Sequence, residues 1–264
     1  MATVIAVTNQ KGGVGKTTTS INLAYFLAKA GHKTLLIDFD PQGNATSGLG
    51  IDKTELTGTM SEVVKGEQTL DQIILQTEHK NLYLAPTTSI LANTEAEMAQ
   101  IDKRFSRLKM ALDPLQAVYE YVIIDSPPSL SLLTVNGLIA SRYVLLPVQA
   151  EFYALEGLGQ LLETMKLVRK GMNPSLELLG VLPTMLDSRT TLSNQVHAEI
   201  KRHFPGKVFD TTIPRNIRLA EAPSHGIPIG VYDRFSKGSR AYKNLAKEVI
   251  ARTEAALAQQ GDAS

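Results

Sequence analysis

The sequence predicts an α/β protein in which a mainly parallel, twisted sheet carries helices on both faces. Short runs rich in β-branched residues alternate with longer stretches of helical periodicity, which is the order of a parallel sheet wound with helices. The runs are apolar throughout rather than alternating between apolar and polar residues. Such runs are expected of strands that helices cover on both faces.

Seven of these runs are the expected strands. In chain order they cover 3–9, 33–40, 81–87, 121–128, 143–150, 176–186 and 208–214. Between the first two, apolar residues recur at near-helical spacing from Ile21 to Leu27, and Gly31 stands where a helix would end. The first strand is therefore followed by a loop and then by the first helix.

Composition narrows the classes of protein to consider. The chain of 264 residues has 27 Lys or Arg and 26 Asp or Glu, and no stretch approaches the roughly 18 apolar residues of a membrane span. The absence of cysteine excludes disulfides, thiolate metal sites and iron–sulfur clusters. The first residues do not resemble a signal peptide, so we expect a cytoplasmic protein. No linker or repeat divides the chain, which indicates one domain over 1–264 with a short polar tail from about residue 256.

The loop after the first strand, within "VTNQKGGVGKTTTS" at 7–20, is close to a phosphate-binding P-loop. Gly12, Gly13 and Gly15 allow backbone N–H groups to turn toward one anion, and the following helix adds its positive N-terminal end. Lys16 would contact the β- and γ-phosphates, and the Thr17 hydroxyl would ligate Mg²⁺. We therefore expect a di- or triphosphate at this loop.

Two details depart from the usual P-loop pattern. Gln10 stands where that pattern has its first glycine, and Lys11 adds a second lysine at the mouth of the loop. Phosphoryl transfer needs positive charge at the γ-phosphate, and a neighbouring subunit can supply it. A Lys11 that reaches across to a partner subunit would meet this need, while a Lys11 that is simply solvated is the alternative.

Acidic residues stand at the ends of two expected strands: Asp38 and Asp40 in the second, and Asp125 in the fourth. Ligands of open parallel sheets bind at the carboxyl ends of strands, so these side chains belong with the P-loop. Asp125 would hold Mg²⁺ directly or through water, Asp40 would orient the attacking water, and Asp38 would have a structural or metal-shell role. The metal-site candidates are Thr17, Asp40 and Asp125, while a turn cap ahead of Pro41 is the alternative role of Asp40.

These motifs resemble those of the ParA/MinD class of P-loop ATPases. "KGGVGKTT" at 11–18 is similar to their deviant Walker A motif, which has the extra lysine and lacks the first glycine. The chromosomal ParA/Soj partition ATPases in particular resemble this chain in five further segments, at 38–50, 123–130, 147–161, 187–196 and 213–229. The resemblance extends over most of the chain.

The resemblance implies an ATP hydrolase that needs Mg²⁺, forms a homodimer when it binds ATP, and works slowly until a ParB/Spo0J-like partner stimulates it. It also implies that the dimer binds double-stranded DNA without sequence preference and associates with the nucleoid. The dimer would segregate or position chromosomal or plasmid DNA.

The resemblance also assigns roles to residues. Lys11, Lys16 and Asp40 would be catalytic, and Lys11 and Gly12 would lie at the dimer interface. The nucleotide site would be formed by Lys11, Gly12, Gly13, Val14, Gly15, Lys16, Thr17 and Thr18, with Met185 and Pro214 near the adenine.

Charge is unevenly distributed along the chain. The segment 187–248 has eleven Lys or Arg against six acidic residues, a net charge of +5, whereas the rest of the chain has −4. A basic sector of this kind favours binding to a phosphate backbone. The DNA-binding candidates are Arg189 and Arg218, which match the family's DNA-contact arginines, and Lys201, Arg202 and Arg215. Aromatic stacking residues are not expected among these charges, which argues against a preference for single strands.

Other P-loop classes fit less well or stay open. A MinD-like membrane ATPase would need a C-terminal amphipathic helix with bulky apolar residues, but "AKEVIARTEAALAQQGDAS" is Ala-rich and partly acidic, so we expect no membrane binding. A reductase like the nitrogenase iron protein would need cysteines for its iron–sulfur cluster, so the absence of cysteine excludes this class. An ATP-dependent ligase, or a relative that positions another cargo, remains open on the sequence alone.

Overall fold

One seven-stranded sheet forms the centre of the computed structural model, which describes residues 1–151, 158–187 and 189–261. Its strands are β1 (Thr3–Val7), β2 (Thr34–Asp38), β3 (Leu75–Gln76), β4 (Leu82–Ala85), β5 (Tyr121–Asp125), β6 (Tyr143–Gln149) and β7 (Glu177–Thr184). They lie in the order β3-β4-β2-β5-β1-β6-β7. Every neighbouring pair is parallel except β3 and β4.

Helices of very different length connect the strands. They are α1 (Lys16–Lys29), α2 (Asn44–Gly48), α3 (Met60–Lys65), α4 (Leu70–Ile73), α5 (Ile90–Met98), α6 (Arg107–Leu112), α7 (Leu132–Ala140), α8 (Leu158–Gly171), α9 (Thr191–His203), α10 (Ile217–Glu221), α11 (Ile229–Tyr232) and α12 (Lys237–Gly261). Two short 3₁₀ turns cover Asp113–Leu115 and Ala222–His225. No helix in the described part of the chain is long and apolar enough to cross a membrane.

Alternate residues of each central strand enter different hydrophobic cores. Ile5 and Val7 of β1 pack in the core that contains α1 and α12, whereas Val4 packs in the core of α3, α5 and α6. A third core joins β6 to α7 and α8. Both faces of the sheet are therefore covered, which confirms the predicted fold class and explains why the strands are apolar throughout.

The last expected strand, 208–214, is not a strand in the structure. Only isolated bridges form there, between Val181 and Val208 and between Leu186 and Pro214. The Arg252 side chain from α12 donates hydrogen bonds to the carbonyls of Leu179 (3.1 Å) and Val208 (2.7 Å). A side chain thus replaces part of the ladder that an eighth strand would form. In contrast, the two-residue edge strand β3 was not predicted, because two residues carry no periodic pattern.

The strands also end earlier than predicted, and this places the site. β1 ends at Val7, β2 at Asp38 and β5 at Asp125. Asn9 and Asp40 therefore lie in loops beyond the strand ends rather than within strands. The three strands are neighbours in the sheet, so their carboxyl ends and the loops that follow meet at one edge.

A close backbone contact joins the segment after α2 to the turn after α10. Gly50 (φ +77°) and Gly226 (φ +67°) both adopt left-handed conformations, and a Cβ on Gly226 would lie 2.6 Å from the Cα of Gly50. Only glycine satisfies both the conformation and the spacing at this point.

We predict that Gly226→Ala lowers the free energy of unfolding more than Gly206→Ala does. Gly206 has a similar φ of +70° but nothing within 4 Å of an added Cβ. Gly206→Ala should cost about 1 kcal/mol of conformational strain, and Gly226→Ala about 1–3 kcal/mol more because backbone atoms must move apart. Urea unfolding followed by circular dichroism measures both. Equal losses would show that the Gly50–Gly226 contact adds nothing.

Candidate nucleotide-binding site

The loop between β1 and α1 has the geometry of an anion site. Gly13 (φ +74°) and Gly15 (φ +88°) are left-handed, and Gly15 immediately precedes the first residue of α1. This turn directs backbone N–H groups and the positive end of a 14-residue helix toward the same point. An anionic ligand at this point is what the loop is built to bind.

Hydrogen bonds to neighbouring strands hold the loop in place. The Asn9 amide donates to the carbonyl of Pro147 in β6 at 2.7 Å, and its Oδ1 accepts from the backbone N–H of Lys11 at 3.0 Å. The Thr184 hydroxyl at the end of β7 donates to the carbonyl of Val14 at 2.8 Å. The loop is thus fixed before any ligand binds. Thr184 was not among the predicted site residues, since its side chain acts from a distant part of the chain.

Lys16 is a buried cation inside the loop. Its residue is 7% exposed, and its Nζ donates to the carbonyl of Lys11 at 3.1 Å. Burial lowers the pKa of Lys16, while the negative charges of Asp125 and Asp40 act in the opposite direction. A phosphate would offer this ammonium a much stronger acceptor than a single carbonyl does.

Two buried carboxylates lie side by side at the ends of neighbouring strands. Asp38 of β2 is in register with Asp125 of β5, and neither is exposed to solvent. Asp38 accepts hydrogen bonds from the Thr46 backbone N–H (2.7 Å) and hydroxyl (2.6 Å) at the start of α2. Burial raises the pKa of Asp38 to about 6. Burial and the proximity of Asp38 together raise the pKa of Asp125 to about 8.

Asp125 has an acceptor left over. Its Oδ1 accepts a hydrogen bond from the Ser20 hydroxyl at 2.9 Å, but its buried Oδ2 has no hydrogen-bond partner. A cation or its bound water at this oxygen would supply the missing partner and would favour the charged carboxylate. The residues present therefore fit Mg²⁺. Ser20 lies one helical turn after Lys16, and its contact with Asp125 was not predicted.

In the part of the chain that the structure describes, the protein itself supplies few metal ligands. No group of three or more His, Cys, Asp or Glu side chains able to hold a metal occurs in residues 1–151, 158–187 and 189–261. Mg²⁺ commonly keeps several waters and is bound by one or two carboxylates plus substrate phosphates. Thr17 and Asp125 would hold such an ion beside the phosphates, with Asp40 close by, and the ion would neutralise phosphate charge.

Asp40 lies in the loop after β2 and is 6% exposed. Its Oδ1 accepts from the backbone N–H of Gln42 at 3.0 Å, so the turn cap that the sequence left as an alternative is present. This hydrogen bond uses one carboxylate oxygen, which is compatible with a second role in orienting water. Lys53 also stabilises the loop, since its Nζ donates to the Gln42 carbonyl at 2.9 Å.

A cavity of about 340 Å³ adjoins the phosphate loop. Gly15 and Thr18 line one side, and Met185, Pro214 and Tyr242 are among the residues on the other. The bridge between Leu186 and Pro214 brings the two predicted adenine neighbours together. Met185 is one of the few non-glycine residues with positive φ (51°), a strained conformation of the kind that clusters at ligand sites.

Lys11 is held by a carboxylate of its own chain. Its Nζ forms an ion pair with Glu151, which follows β6, and the two side chains are 39% and 37% exposed. Lys11 is therefore ion-paired rather than simply solvated. An ion pair this exposed is worth roughly 0–1 kcal/mol, so Lys11 can exchange Glu151 for a phosphate at small cost.

Three of the predicted DNA-binding arginines form ion pairs with acidic residues of their own chain. Arg189 pairs with Asp187, Arg202 with Glu199, and Arg218 with Glu221. The positive charge of Arg215 helps to lower the pKa of Asp187. Lys201 and Arg202 stand near the end of α9, about 15 Å from its start, whereas Arg189 comes just before that start. Lys201 and Arg202 therefore lie apart from Arg189.

A second basic surface lies on α12 and on the loop that precedes it. From 234 to 247 the chain has five basic residues and no acidic one. All five are exposed, and none forms an ion pair within the described residues. We call them the α12 basic surface: Arg234, Lys237, Arg240, Lys243 and Lys247. Contrary to expectation, an aromatic ring also stands here, because Phe235 is 73% exposed.

Comparison with known proteins identifies the family. A family model described as an AAA domain matches residues 2–178. The sporulation initiation inhibitor protein Soj of Bacillus subtilis is 53% identical over 251 residues, which are 95% of this chain and 99% of that protein. The chromosome partitioning protein ParA of Myxococcus xanthus is 49% identical over 94% of this chain and 88% of its own length. The chain belongs to the ParA/Soj family of P-loop ATPases.

Solved structures give the same fold for this ParA/Soj-family chain. Cobyrinic acid a,c-diamide synthase from Mycobacterium smegmatis, with bound ADP and magnesium, matches with a TM-score of 0.85 and 37% identity over 96% of each chain. The family and this likeness establish the chain as an ATP hydrolase that uses ATP with Mg²⁺.

We predict that Lys16→Ala weakens ATP binding by at least about 30-fold, since truncating one partner of a buried charge pair costs 2–5 kcal/mol. Titration with a fluorescent ATP analogue measures this affinity. Lys29→Ala, at the other end of α1, is the control and should bind ATP as the wild type does. Wild-type affinity in Lys16→Ala would contradict the assignment of this loop to phosphate binding.

Proposed function

We propose that this chain is a partition ATPase whose ATP-bound homodimer binds double-stranded DNA without sequence preference, and whose hydrolysis a ParB-like partner stimulates. The observation that carries the proposal is the 53% identity to Soj over 95% of this chain, on a structure that keeps the second lysine at the mouth of the P-loop. The cycle would place the protein on the nucleoid in the cytoplasm and would move or position chromosomal or plasmid DNA.

The surface around Lys11 and Gly12 supports an interface between two subunits. Gly12 is exposed, lies outside the left-handed region, and has nothing within 4 Å of an added Cβ. A glycine here is therefore not required by the fold of a single chain. Close approach of a second subunit would explain it, and the same approach would bring Lys11 to the partner's γ-phosphate, where positive charge is needed.

The basic sector supports DNA as the track. The exposed ion pairs of Arg189, Arg202 and Arg218 are weak, so phosphates can take the place of the carboxylates. The unpaired charges of the α12 basic surface need no such exchange. A dimer would present both surfaces twice, and binding strengthens steeply with the number of phosphates neutralised. Dependence of DNA binding on ATP would follow from dimerisation.

Asp40 would end the ATP-bound state. It follows β2, whose end lies next to the end of β5 that carries Asp125, and from there it could orient water for attack on the γ-phosphate. A ParB-like partner would speed this step, and the released monomer would leave the DNA until it binds ATP again.

An ATP-dependent ligase is the second candidate, because cobyrinic acid a,c-diamide synthase has the same fold at 37% identity. The higher identity to Soj favours partition. A ligase would hydrolyse or use ATP without needing duplex DNA, so one binding experiment separates the two functions.

The experiment measures binding to a random-sequence duplex by fluorescence anisotropy with ATP, ADP or no nucleotide, at two salt concentrations. The wild type should bind only with ATP and should weaken with salt by about 0.9 log units per log unit for each neutralised phosphate. Gly12→Val should bind ATP as a folded monomer and fail to bind DNA. Arg218→Glu should form the dimer and still lose DNA.

Lys166→Glu is the matched control for Arg218→Glu. Lys166 is also exposed and forms a comparable ion pair three residues away, with Glu163, but it lies on α8 outside the basic sector. It should bind DNA as the wild type does. Absence of DNA binding by the wild type in every nucleotide state would overturn the proposal and favour the ligase or another cargo.

A further inference from the structure

Phe235 is an exposed aromatic ring that the ATPase site does not explain. It is 73% exposed in the loop between α11 and α12, and it belongs to none of the three hydrophobic cores. Ile217 is equally exposed at 75%, but it lines the cavity beside the phosphate loop. Phe235 does not line that cavity. A large apolar side chain left in water is stabilised by any partner that covers it.

The loop holds this ring in a defined position. The backbone N–H of Phe235 donates to Asp233 Oδ1 at 3.2 Å, and the Ser236 hydroxyl donates to the Asp233 carbonyl at 2.9 Å. The Ser236 hydroxyl also accepts from the backbone N–H of Ser239 at 3.0 Å, as a cap for α12. Asp233 in turn lies 3.8 Å from the Arg218 guanidinium. Phe235 is thus connected by two short links to a DNA-binding candidate.

A positive charge contacts the ring, and others follow in the chain. The guanidinium carbon of Arg234 lies 4.5 Å from the ring centroid, which is a cation–π contact. The α12 basic surface continues from Arg234 through Lys237, two residues after the ring, to Lys247. An apolar group beside unpaired positive charges complements a polyanion that also offers apolar surface. Duplex DNA has this combination, because the carbon atoms of deoxyribose lie between its phosphates.

We propose that Phe235 is an apolar contact to duplex DNA, packing on a deoxyribose while Arg234 and Lys237 bind the flanking phosphates. The inference rests on the proposed function. Every sequence offers the same sugars, so the contact would add affinity without adding sequence preference. Apolar side chains between base steps also bend duplexes in other proteins, which would extend the contact.

The absence of tryptophan from the chain allows a direct test. Phe235→Trp introduces a single indole, whose emission and acrylamide quenching are measured with ATP, before and after a random-sequence duplex is added. DNA should shift the emission and shield the indole from acrylamide. Leu167→Trp, at an exposed apolar residue of α8 that is 71% exposed, is the control and should stay unchanged. An indole at 235 that stays as accessible as the one at 167 while DNA is bound would overturn the inference.

A salt series with Phe235→Ala and Arg234→Ala tests the energetic contribution. Loss of the covered ring should weaken DNA binding by about 5-fold or more at every salt concentration, with the salt slope unchanged, because Phe235 neutralises no phosphate. Arg234→Ala should reduce the slope by about 0.9. Wild-type affinity in Phe235→Ala would overturn the inference. Failure of the wild type itself to bind DNA would instead overturn the proposed function, so the two failures are distinct.

Discussion

Burial of opposite charges at the carboxyl ends of β1, β2 and β5 is the constraint on which the rest of the site depends. Lys16, Asp38 and Asp125 are almost fully removed from water, and burial alone would drive each toward its neutral form. Hydrogen bonds from Thr46 and Ser20 stabilise the two carboxylates only in part. A triphosphate with Mg²⁺ would supply what is missing, because the anion would pair with Lys16 and the cation with Asp125.

Packed backbone connects the same edge of the sheet to the basic sector. Asp38 and Asp40 lead into α2, whose first turn binds Asp38, and the segment after α2 meets the 3₁₀ turn at the Gly50–Gly226 contact. That turn directly follows α10, which carries Arg218. The loop after β2 and the helix that carries Arg218, a candidate for DNA binding, thus lie on one continuous path. Both glycines are needed because side chains would separate its two halves.

Sequence patterns predicted the elements whose signal is local. The strand runs around Ile5, Leu36 and Ile123, the loop at Gly13 to Lys16, and the acidic strand ends at Asp38 and Asp125 are all found where patterns place them. Contacts between distant segments carry no such pattern. The Lys11–Glu151 ion pair, the Thr184–Val14 hydrogen bond and the Arg252–Leu179 hydrogen bond join residues from 73 to 170 positions apart. The exposure of a side chain also depends on the fold, because no sequence pattern distinguishes Phe235 from a buried phenylalanine.

In the proposed cycle, ATP at this site closes a dimer and Asp40 ends the closed state. Sedimentation velocity of Asp40→Ala with Mg²⁺ and ATP tests this cycle most directly, with the wild type and Asp52→Ala, at an exposed acidic residue, as controls. Asp40→Ala should persist as a dimer after the wild type and Asp52→Ala have consumed their ATP and returned to monomers. An Asp40→Ala protein that binds ATP and yet sediments only as a monomer would contradict it.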